Sequence, residues 1–351
     1  MNFAPVRFGI LGAANIARSF VRGLAGSAFA RVEAVGSRRA ETAASFSAEL
    51  GIPRAYGSYE AVLADPEIEA VYVPLPNDMH AEWGIRAAEA GKHVLCEKPL
   101  ALGGAAARAM FAAARAHGVR LVEAYPYMSQ PQTLRLRALL AEGAIGRLQM
   151  ITASFGFALC APDGTPLRNP ADIRLDPARG GGALLDAGTY PMSLIRLAAG
   201  AAPRRVWATG RWTSTGVDLA VAATLEFSDG LVAQLSCSMA AAGYRHATLI
   251  GDAGVIETSF SNHAPEDGPP LALRLRRGVV GTAPFETIEV PGGSGFRLEA
   301  ESFARMVRLG PEEWDGANEG ESVDTAATLE AVLESVRTGT WVEVGGDRAG
   351  L

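Results

Sequence analysis

Short apolar runs alternate with amphipathic segments along the first third of the chain. The apolar runs have strand length and lie at residues 7–11, 31–36, 70–75, 94–97 and 119–123. Between them, apolar residues recur every three or four positions, as on a helix with one buried face, at 15–25, 41–50, 59–64, 80–90 and 104–116. Strands separated by helices form βαβ units with right-handed crossovers. The pattern predicts an α/β domain with a doubly wound parallel sheet over residues 1–124.

The pattern changes after residue 124. Amphipathic helices are predicted at 133–142, 183–198, 298–308 and 321–338, with a loop rich in Pro, Asp and Gly before residue 179. Strands are predicted at 148–157, 206–212, 217–227, 231–239, 246–251, 254–259 and 341–344. Several of these strands follow one another across short turns such as Ser228-Asp229-Gly230, which is typical of antiparallel neighbours. Residues 125–351 are therefore predicted to form a second, α+β domain with a mainly antiparallel sheet.

Composition narrows the class of protein. The 351 residues carry a formal net charge of −6 and their basic residues are scattered, which argues against nucleic-acid binding. Cys96, Cys160 and Cys237 are far apart and form no CxxC motif, so they predict reduced thiols in a cytoplasmic protein without a metal site. The start, MNFAPVRFGI, does not read as a signal peptide, and no apolar run is long enough to cross a membrane.

A glycine-containing turn joins the first strand to the first helix. Residues 8–17, FGILGAANIA, align with the dinucleotide-binding pattern GxGxxG/A through Gly12, Ala14 and Ala17. Ala14 departs from that pattern, and a purely structural glycine turn is the alternative. Because the turn opens the first βαβ unit, where helix amides meet phosphates, we predict that it binds a dinucleotide. The residues predicted to do so are Gly12, Ala13, Ala14, Asn15 and Ile16.

The cofactor preference depends on the end of the second strand. NAD-dependent enzymes carry an acidic residue there for the ribose hydroxyl, whereas this chain has Gly36-Ser37-Arg38-Arg39. A hydroxyl and a guanidinium suit a 2′-phosphate instead. A solvated loop is the alternative, but the position favours NADP over NAD, with Ser37 and Arg38 as its ligands.

The third strand ends at the same edge of the sheet. Pro74 and Leu75 are followed there by Asn77, which is predicted to hydrogen-bond the ribose or the nicotinamide of the cofactor. His80 is a candidate for the same role, or it occupies the first turn of the next helix. For a single histidine the structural role is favoured.

Two further segments place polar side chains near this edge. Glu97, Lys98 and Pro99 follow the buried run that starts at Val94, so they lie where open α/β sheets bind ligands. Asp186 and Tyr190 are four residues apart and share one face of a helix. The alternatives are a solvated strand end, an acid that stabilises the helix dipole and a core tyrosine. Three glycines at 180–182 favour close packing of this helix against a ligand.

Together these segments resemble a known family. GILGAANIA, YVPLPNDMHAEWGIRAAEAGKHVLCEKPLAL and GGGALLDAGTYPMSLIR are similar to the glucose-fructose oxidoreductase, inositol dehydrogenase and rhizopine catabolism (Gfo/Idh/MocA) family, and GVDLAVAATLEFSDGLVAQLSCSM extends the likeness. The branch it looks closest to contains dimeric dihydrodiol dehydrogenases and NADP-linked aldose dehydrogenases. The resemblance implies a Rossmann domain, a second domain with an open sheet, a nicotinamide between them and a cis Lys98-Pro99 bond. It also implies a homodimer or homotetramer formed through the second sheet.

The resemblance assigns roles to the polar residues. Lys98, Asp186 and Tyr190 match the family's lysine, helix aspartate and tyrosine, with Glu97 beside the cofactor. A tyrosine has a pKa of about 10, and a neighbouring ammonium favours its phenolate. Tyr190 is thus expected to be the acid/base, assisted by Lys98, while Asp186 orients a sugar, a sugar derivative or a cyclic diol. The alternatives are a non-catalytic NAD(P)-binding regulator and, less favoured, a cofactor-free binding module.

One segment departs from the family. Relatives read EAFMYRFHPQ after the last Rossmann strand, whereas this chain has Met128 and Gln130 in place of the basic pair of that segment. Because the segment lies beside the substrate in the family, Tyr127 and Met128 are predicted to contact the substrate on a less polar wall. Packing between the domains is an equal alternative for Tyr125 and Tyr127.

Overall fold

The computed structural model describes residues 3–262 and 270–345. Its first domain contains six parallel strands in the order β3-β2-β1-β4-β5-β6, which is the doubly wound order predicted from the sequence. The strands are β1 (Val6–Leu11), β2 (Ala30–Gly36), β3 (Arg54–Tyr56), β4 (Ala70–Val73), β5 (His93–Glu97) and β6 (Leu121–Ala124). The helices are α1 (Asn15–Gly23), α2 (Ala40–Leu50), α3 (Tyr59–Ala64), α4 (His80–Glu89) and α5 (Gly104–Ala116).

Strand β3 was not predicted. It has three residues, none of them fully buried, and it pairs with β2 at the edge of the sheet. A segment so short carries no apolar run or alternation that could distinguish it from a loop. The central strands were predicted because both of their faces are covered, which requires continuous apolar sequence.

The second domain is built on a nine-stranded sheet in the order β14-β13-β12-β11-β7-β10-β9-β8-β15. The pairing is antiparallel except between β7 and β10, so the sheet is mixed and mainly antiparallel, as predicted. The strands are β7 (Leu148–Ala158), β8 (Arg205–Trp212), β9 (Asp218–Glu226), β10 (Val232–Ser238), β11 (Ala240–Gly251), β12 (Gly254–Thr258), β13 (Leu271–Arg277), β14 (Glu286–Val290) and β15 (Val342–Glu343). The helices are α6 (Pro131–Ala141), α7 (Thr189–Ala199), α8 (Gly295–Leu309) and α9 (Glu319–Thr338).

Three features of this sheet differ from the prediction. Strands β13 and β14 were missed; β14 is the edge strand, β13 lies next to it, and both are only partly buried. Strand β11 begins six residues before the predicted start, in a segment, Ala240–Gly243, where no alternation of polar and apolar residues marks it. The helix predicted from residue 183 starts with a π-helical turn, Leu184–Gly188, and continues as α7.

Helix α8 returns to the first domain. Phe296 and Phe303 of this helix belong to the same buried cluster as Phe8 and Phe20 of the parallel sheet and α1. The ring of Phe303 lies 5.4 Å from that of Phe8. Residues assigned from the sequence to the second domain therefore complete the core of the first, and the boundary after residue 124 stays a prediction.

Two local features expected from the sequence are present in the structure. The Lys98-Pro99 peptide bond is cis, as the resemblance implied. All three cysteines are buried free thiols. Within the described parts of the chain, no helix has the length and apolarity needed to span a bilayer. The same residues contain no cluster of three or more His, Cys, Asp or Glu side chains suited to a metal ion.

Candidate active site

A cleft of about 1030 Å³ opens at the carboxyl ends of the parallel strands, between the first domain and the second sheet. This is the edge at which open α/β sheets bind ligands. The first domain contributes the turn after β1, the end of β4 and the end of β5. The second contributes β7, β11, the loop before α7 and the residues after β12. The lining residues that carry the argument below are Ala14, Lys98, Arg174, Asp186, Tyr190, Arg245 and Asn262.

The turn after β1 meets the requirements of a phosphate-binding site. Gly12 has a φ of 112°, and a Cβ there would lie 3.0 Å from Cδ2 of Leu75, so glycine suits the position in both conformation and space. Helix α1 starts at Asn15, and Ala14 before it makes no side-chain cap bond to its amides. Amides left without a cap at a helix amino terminus bind anions. Four of the five predicted residues line the cleft, namely Ala13, Ala14, Asn15 and Ile16.

The two residues predicted to select NADP lie at the end of β2. Ser37 is buried and its backbone N–H donates to the carbonyl oxygen of Tyr56, whereas Arg38 is exposed. Arg39, the next residue, lines a second hollow of about 420 Å³ together with Ala13 of the phosphate turn. Of the three, only Arg39 lines that hollow, and Ser37 and Arg38 line neither the hollow nor the cleft.

Four predicted residues after β4 line the cleft, namely Pro74, Leu75, Asn77 and His80. The Asn77 amide donates to the carbonyl oxygen of Gly180 at 2.8 Å, across the two domains. His80 is fully buried, with its ring nitrogens 2.9 Å from the Pro99 oxygen and 2.8 Å from the Leu75 oxygen. Both ring nitrogens thus lie within hydrogen-bond distance of backbone carbonyl oxygens, which agrees with the structural role that was favoured for His80.

The protonation of His80 is constrained by this geometry. A neutral imidazole donates through one nitrogen only, so donation to both carbonyl oxygens requires the imidazolium. Burial lowers the pKa of His80, and the two backbone carbonyls oppose that effect. The lowered pKa favours the neutral ring, which donates to only one of the two carbonyl oxygens at a time.

Lys98, Asp186 and Arg174 form a linked set of charges. The Lys98 ammonium donates to the Asp186 backbone oxygen and to its Oδ1, both at 2.9 Å, and Arg174 Nε donates to Asp186 Oδ2 at 2.8 Å. Burial raises the pKa of Asp186, but the two cations outweigh it and bring it to about 2. Burial lowers the pKa of Lys98, yet Asp186, Tyr190 and Glu97 together raise it above its usual value. Both groups are therefore charged at neutral pH.

Tyr190 lies beside these linked charges and is surrounded by aromatic side chains. Its ring contacts those of Tyr125, Tyr127 and Phe155, with centroids 5.7, 6.1 and 5.5 Å away. The Lys98 ammonium lies 5.0 Å from the Tyr190 ring centroid. Burial raises the pKa of Tyr190 above its usual value of 10, and Lys98 opposes the rise. The contribution of Lys98 thus has the sign expected from the sequence, although burial exceeds it.

Glu97 is held behind Lys98. It is buried, accepts a hydrogen bond of 2.5 Å from the Tyr72 hydroxyl and accepts another from the Lys98 backbone N–H. Burial raises its pKa, while Lys98 and Tyr72 lower it. Glu97 also lines the cleft, where the sequence placed it beside the cofactor.

One prediction for this region is corrected by the structure. Tyr127 and Met128 are at most 1% exposed and do not line the cleft, and the Tyr127 hydroxyl bonds to Ser193 Oγ at 2.8 Å. Both side chains belong to the buried core of the second domain. Of the three glycines at 180–182, Gly180 and Gly181 line the cleft, whereas a Cβ at Gly182 would lie 2.0 Å from Asp218 Oδ1.

Three residues of the site were missed in the sequence. Arg174 comes from an irregular loop, Arg245 from β11, and Asn262 from the segment after β12. Asn262 Nδ2 donates to the Tyr190 hydroxyl oxygen at 2.9 Å, and the Arg245 guanidinium lies 4.8 Å from the Tyr190 ring centroid. No local motif marks any of them, because each is brought in by tertiary packing.

Comparison with known protein families agrees with this architecture. Residues 6–125 match the model of an oxidoreductase family with an NAD-binding Rossmann fold, and residues 133–257 match the Gfo/Idh/MocA C-terminal domain. The chain belongs to the Gfo/Idh/MocA family of oxidoreductases. The two matched regions include Lys98, Asp186, Tyr190 and Arg245, so the residues that line the cleft lie largely within them.

Relatives within the Gfo/Idh/MocA family cover almost the whole chain. It is 38% identical to a D-xylose 1-dehydrogenase (NADP⁺) of Haloferax volcanii over 96% of this chain and 99% of that one. It is 33% identical to a trans-1,2-dihydrobenzene-1,2-diol dehydrogenase of Danio rerio over 95% of this chain and 96% of that one. Among solved structures, a 3-ketoreductase of Actinomadura kijaniata in complex with NADP and TDP-benzene matches with a TM-score of 0.82 and 32% identity, covering 94% of this chain and 98% of that one.

Proposed function

We propose that this Gfo/Idh/MocA protein is an NADP-dependent oxidoreductase that interconverts a hydroxyl and a carbonyl group on a sugar, a sugar derivative or a cyclic diol. The observation that carries the proposal is the convergence of Lys98, Asp186 and Tyr190 in one cleft with an uncapped helix amino terminus. A sensor of the same fold needs the cofactor site but has no use for an acid/base residue beside it. The relatives named above act on sugars and on a cyclic diol.

The residues present fit a dinucleotide with a 2′-phosphate. The α1 amino terminus offers amides to the pyrophosphate, and Ser37, Arg38 and Arg39 offer a hydroxyl and two cations at the end of β2. Asn77 and Glu97 lie along the cleft towards Lys98. When bound there, the nicotinamide supplies the acceptor or donor for a hydride.

Side chains of the protein itself would transfer the proton and orient the substrate. In alcohol oxidation the Tyr190 oxygen takes the hydroxyl proton, and in ketone reduction it returns it. Lys98 supplies a fixed positive charge 5.0 Å from the centroid of the Tyr190 ring, which favours the deprotonated form of the tyrosine. Asp186, kept ionised by Lys98 and Arg174, accepts a hydrogen bond from a neighbouring hydroxyl of the substrate and so fixes the reacting carbon.

A substrate panel tests the reaction class. The purified protein is incubated with NADP⁺ and D-xylose, other aldoses, sugar derivatives and trans-1,2-dihydrobenzene-1,2-diol, while NADPH absorbance is followed. Turnover of at least one compound is expected. Tight binding of NADPH without turnover in either direction would favour the non-catalytic regulator. Binding of neither NADPH nor NADH would contradict both the oxidoreductase and the NAD(P)-binding regulator.

Arg38→Ala is expected to weaken NADPH binding about 10- to 100-fold and to leave NADH binding unchanged. A hydrogen bond to a charged group contributes about 1.5–3 kcal/mol, and only NADPH carries the phosphate that this guanidinium would contact. Calorimetric titration with both nucleotides measures the ratio of the dissociation constants for NADPH and NADH. Arg31→Ala is the matched control, because Arg31 lies near the other end of β2 and pairs with Glu33. Equal losses for both nucleotides, or tighter NADH binding by the unaltered protein, would contradict the choice of NADP.

We also propose that a second copy of the chain covers the outer face of the nine-stranded sheet. Met150, Trp207 and Tyr244 expose 39–56% of their surface, and a hollow of about 550 Å³ crosses strands β7 to β11. Apolar surface of this extent is usually buried in an interface. Light scattering is expected to give a mass two or four times the 36.6 kDa of one chain. The Met150→Arg substitution is expected to reduce the measured mass to that of a single chain. A monomer at micromolar concentration would contradict the proposal.

A further inference from the structure

The side-chain amide of Asn262 donates a hydrogen bond to the hydroxyl oxygen of Tyr190. Lys98 points its ammonium at Asp186 and reaches Tyr190 only through the face of the ring, with no hydrogen bond to the hydroxyl within residues 3–262 and 270–345. The 2.9 Å contact from Asn262 Nδ2 therefore holds the oxygen on which the proposed proton transfer depends. The other amide atom, Oδ1, is buried and has no partner in this part of the chain.

The backbone of Asn262 is held in place by a hydrogen bond and by close packing. Gln130 Nε2 donates to the Asn262 carbonyl oxygen at 3.0 Å and to that of Gly293 at 2.9 Å. The Asn262 oxygen is also so close to Gly295 that a Cβ there would lie 1.8 Å from it. Gln130, which the sequence singled out because it replaces a basic residue of relatives, thus anchors the segment that carries the asparagine.

Arg245 contacts the same tyrosine from β11. It lies opposite Phe155 of β7, and its guanidinium is 3.9 Å from the Phe155 ring centroid and 4.8 Å from that of Tyr190. No carboxylate pairs with it within the described residues, and its one hydrogen bond to protein is a 3.4 Å contact with the Phe260 carbonyl oxygen. A partly buried guanidinium without a carboxylate leaves its positive charge directed at the aromatic rings.

We propose that Asn262 and Arg245 are positioning residues that, with Lys98, stabilise the deprotonated form of Tyr190. The proposal rests on the proposed function, in which Tyr190 exchanges the proton. An amide N–H bond to the oxygen is stronger when that oxygen is charged, and a cation near the ring favours the phenolate by Coulomb attraction. An asparagine amide can also turn over and accept the O–H of the neutral phenol, so it serves both protonation states.

The charges around Tyr190 come from several elements, and their signs determine the expected result. Burial raises the pKa of Tyr190, Glu97 raises it further, and Lys98, Arg245 and the Asn262 bond lower it. The aromatic rings packed on it add no formal charge at neutral pH. The other ionisable groups that interact with Tyr190 or with its cationic neighbours Lys98 and Arg245 include Tyr72, Asp186, His80 and Glu123.

The test measures the ionisation of Tyr190 itself. Tyrosinate absorbance is titrated with NADP⁺ bound, and the Tyr190→Phe curve is subtracted to isolate one of the seven tyrosines. Asn262→Leu and Arg245→Met are each expected to raise the apparent pKa by about one unit, a tenfold loss of phenolate at a given pH. Asn262→Asp, which cannot donate and adds a negative charge, is expected to raise it more than Asn262→Leu. Asn262→Gln and Arg245→Lys are expected to restore part of the shift.

Arg274→Met is the matched control for Arg245→Met. Arg274 lies on the same sheet and stacks at 4.3 Å on the Phe285 ring, but it does not line the cleft. It is expected to leave the Tyr190 titration unchanged. Unchanged titrations in the Asn262 and Arg245 variants would overturn the proposal.

The readout separates the two proposals. If no alcohol is oxidised by the unaltered protein but the titration shifts as expected, the proposed reaction fails and the positioning of Tyr190 stands. If alcohols are oxidised, the pH dependence of kcat/KM is expected to move upward in the same variants and in the same order. A fall in kcat with an unmoved pH profile would indicate a purely structural role for both residues.

Discussion

Tyr190→Phe is expected to lower kcat for alcohol oxidation by about 10³-fold and to leave NADPH affinity unchanged. The substitution removes the oxygen that exchanges the proton, while the ring keeps its contacts with Tyr125, Tyr127 and Phe155. The Asn262 amide loses its partner, which is expected to cost about 1–2 kcal/mol of the free energy of unfolding. Steady-state kinetics on a substrate from the panel, NADPH titration and denaturant unfolding measure the three quantities.

Tyr127→Phe is the matched control for this prediction. Its hydroxyl is also buried and hydrogen-bonded, to Ser193, but it lies behind the cleft wall. We expect a similar loss of stability with kcat preserved. A near-normal rate for Tyr190→Phe would remove the acid/base assignment, and an equal rate loss in both variants would show that the hydroxyls act through packing.

Lys98→Met is expected to lower kcat by about 10²-fold and the free energy of unfolding by about 3 kcal/mol. The rate falls because the positive charge near Tyr190 disappears, and the stability falls because the partly buried Asp186 keeps only Arg174 as a cationic partner. Lys92→Met is the control, since Lys92 is also buried and donates to the Asp65 and Ile68 backbone oxygens of the first domain. That variant is expected to lose stability and keep its rate.

The stability loss in Lys98→Met has a defined pH dependence. The pKa of Asp186 is about 2 in the folded protein, below its value of about 3.9 in an unfolded chain. A lowered folded pKa stabilises the fold above the unfolded pKa, and this contribution is lost as the pH falls through the folded value. The difference between the unaltered protein and Lys98→Met is therefore expected to be full at pH 7 and to shrink below about pH 4. A constant difference from pH 7 to 3 would contradict the ion pair as its source.

The parallel sheet and the three central polar residues were accessible from the sequence for a physical reason. Strands buried on both faces need continuous apolar runs, and their carboxyl ends meet at one edge. Lys98 could therefore be placed at that edge directly. Asp186 and Tyr190 share one helical face and both reach Lys98 in the structure.

The rest of the site depends on contacts between distant segments. Arg245 reaches Tyr190 because β11 pairs with β7, and Asn262 does so because Gln130 and Gly295 hold its backbone. No periodicity within one segment encodes either contact. The three glycines were interpreted as close packing against a ligand. Gly180 and Gly181 line the cleft, whereas Gly182 packs against Asp218, a partner 36 positions further along the chain.

The return of helix α8 to the first domain has a consequence for synthesis of the protein. The core around Phe8 and Phe20 includes Phe296 and Phe303, which lie nearly 300 positions further along the chain. A nascent chain that has left the ribosome only as far as β6 contains every strand of the parallel sheet but lacks these side chains. The core on that face of the sheet is therefore complete only after nearly the whole polypeptide has been made.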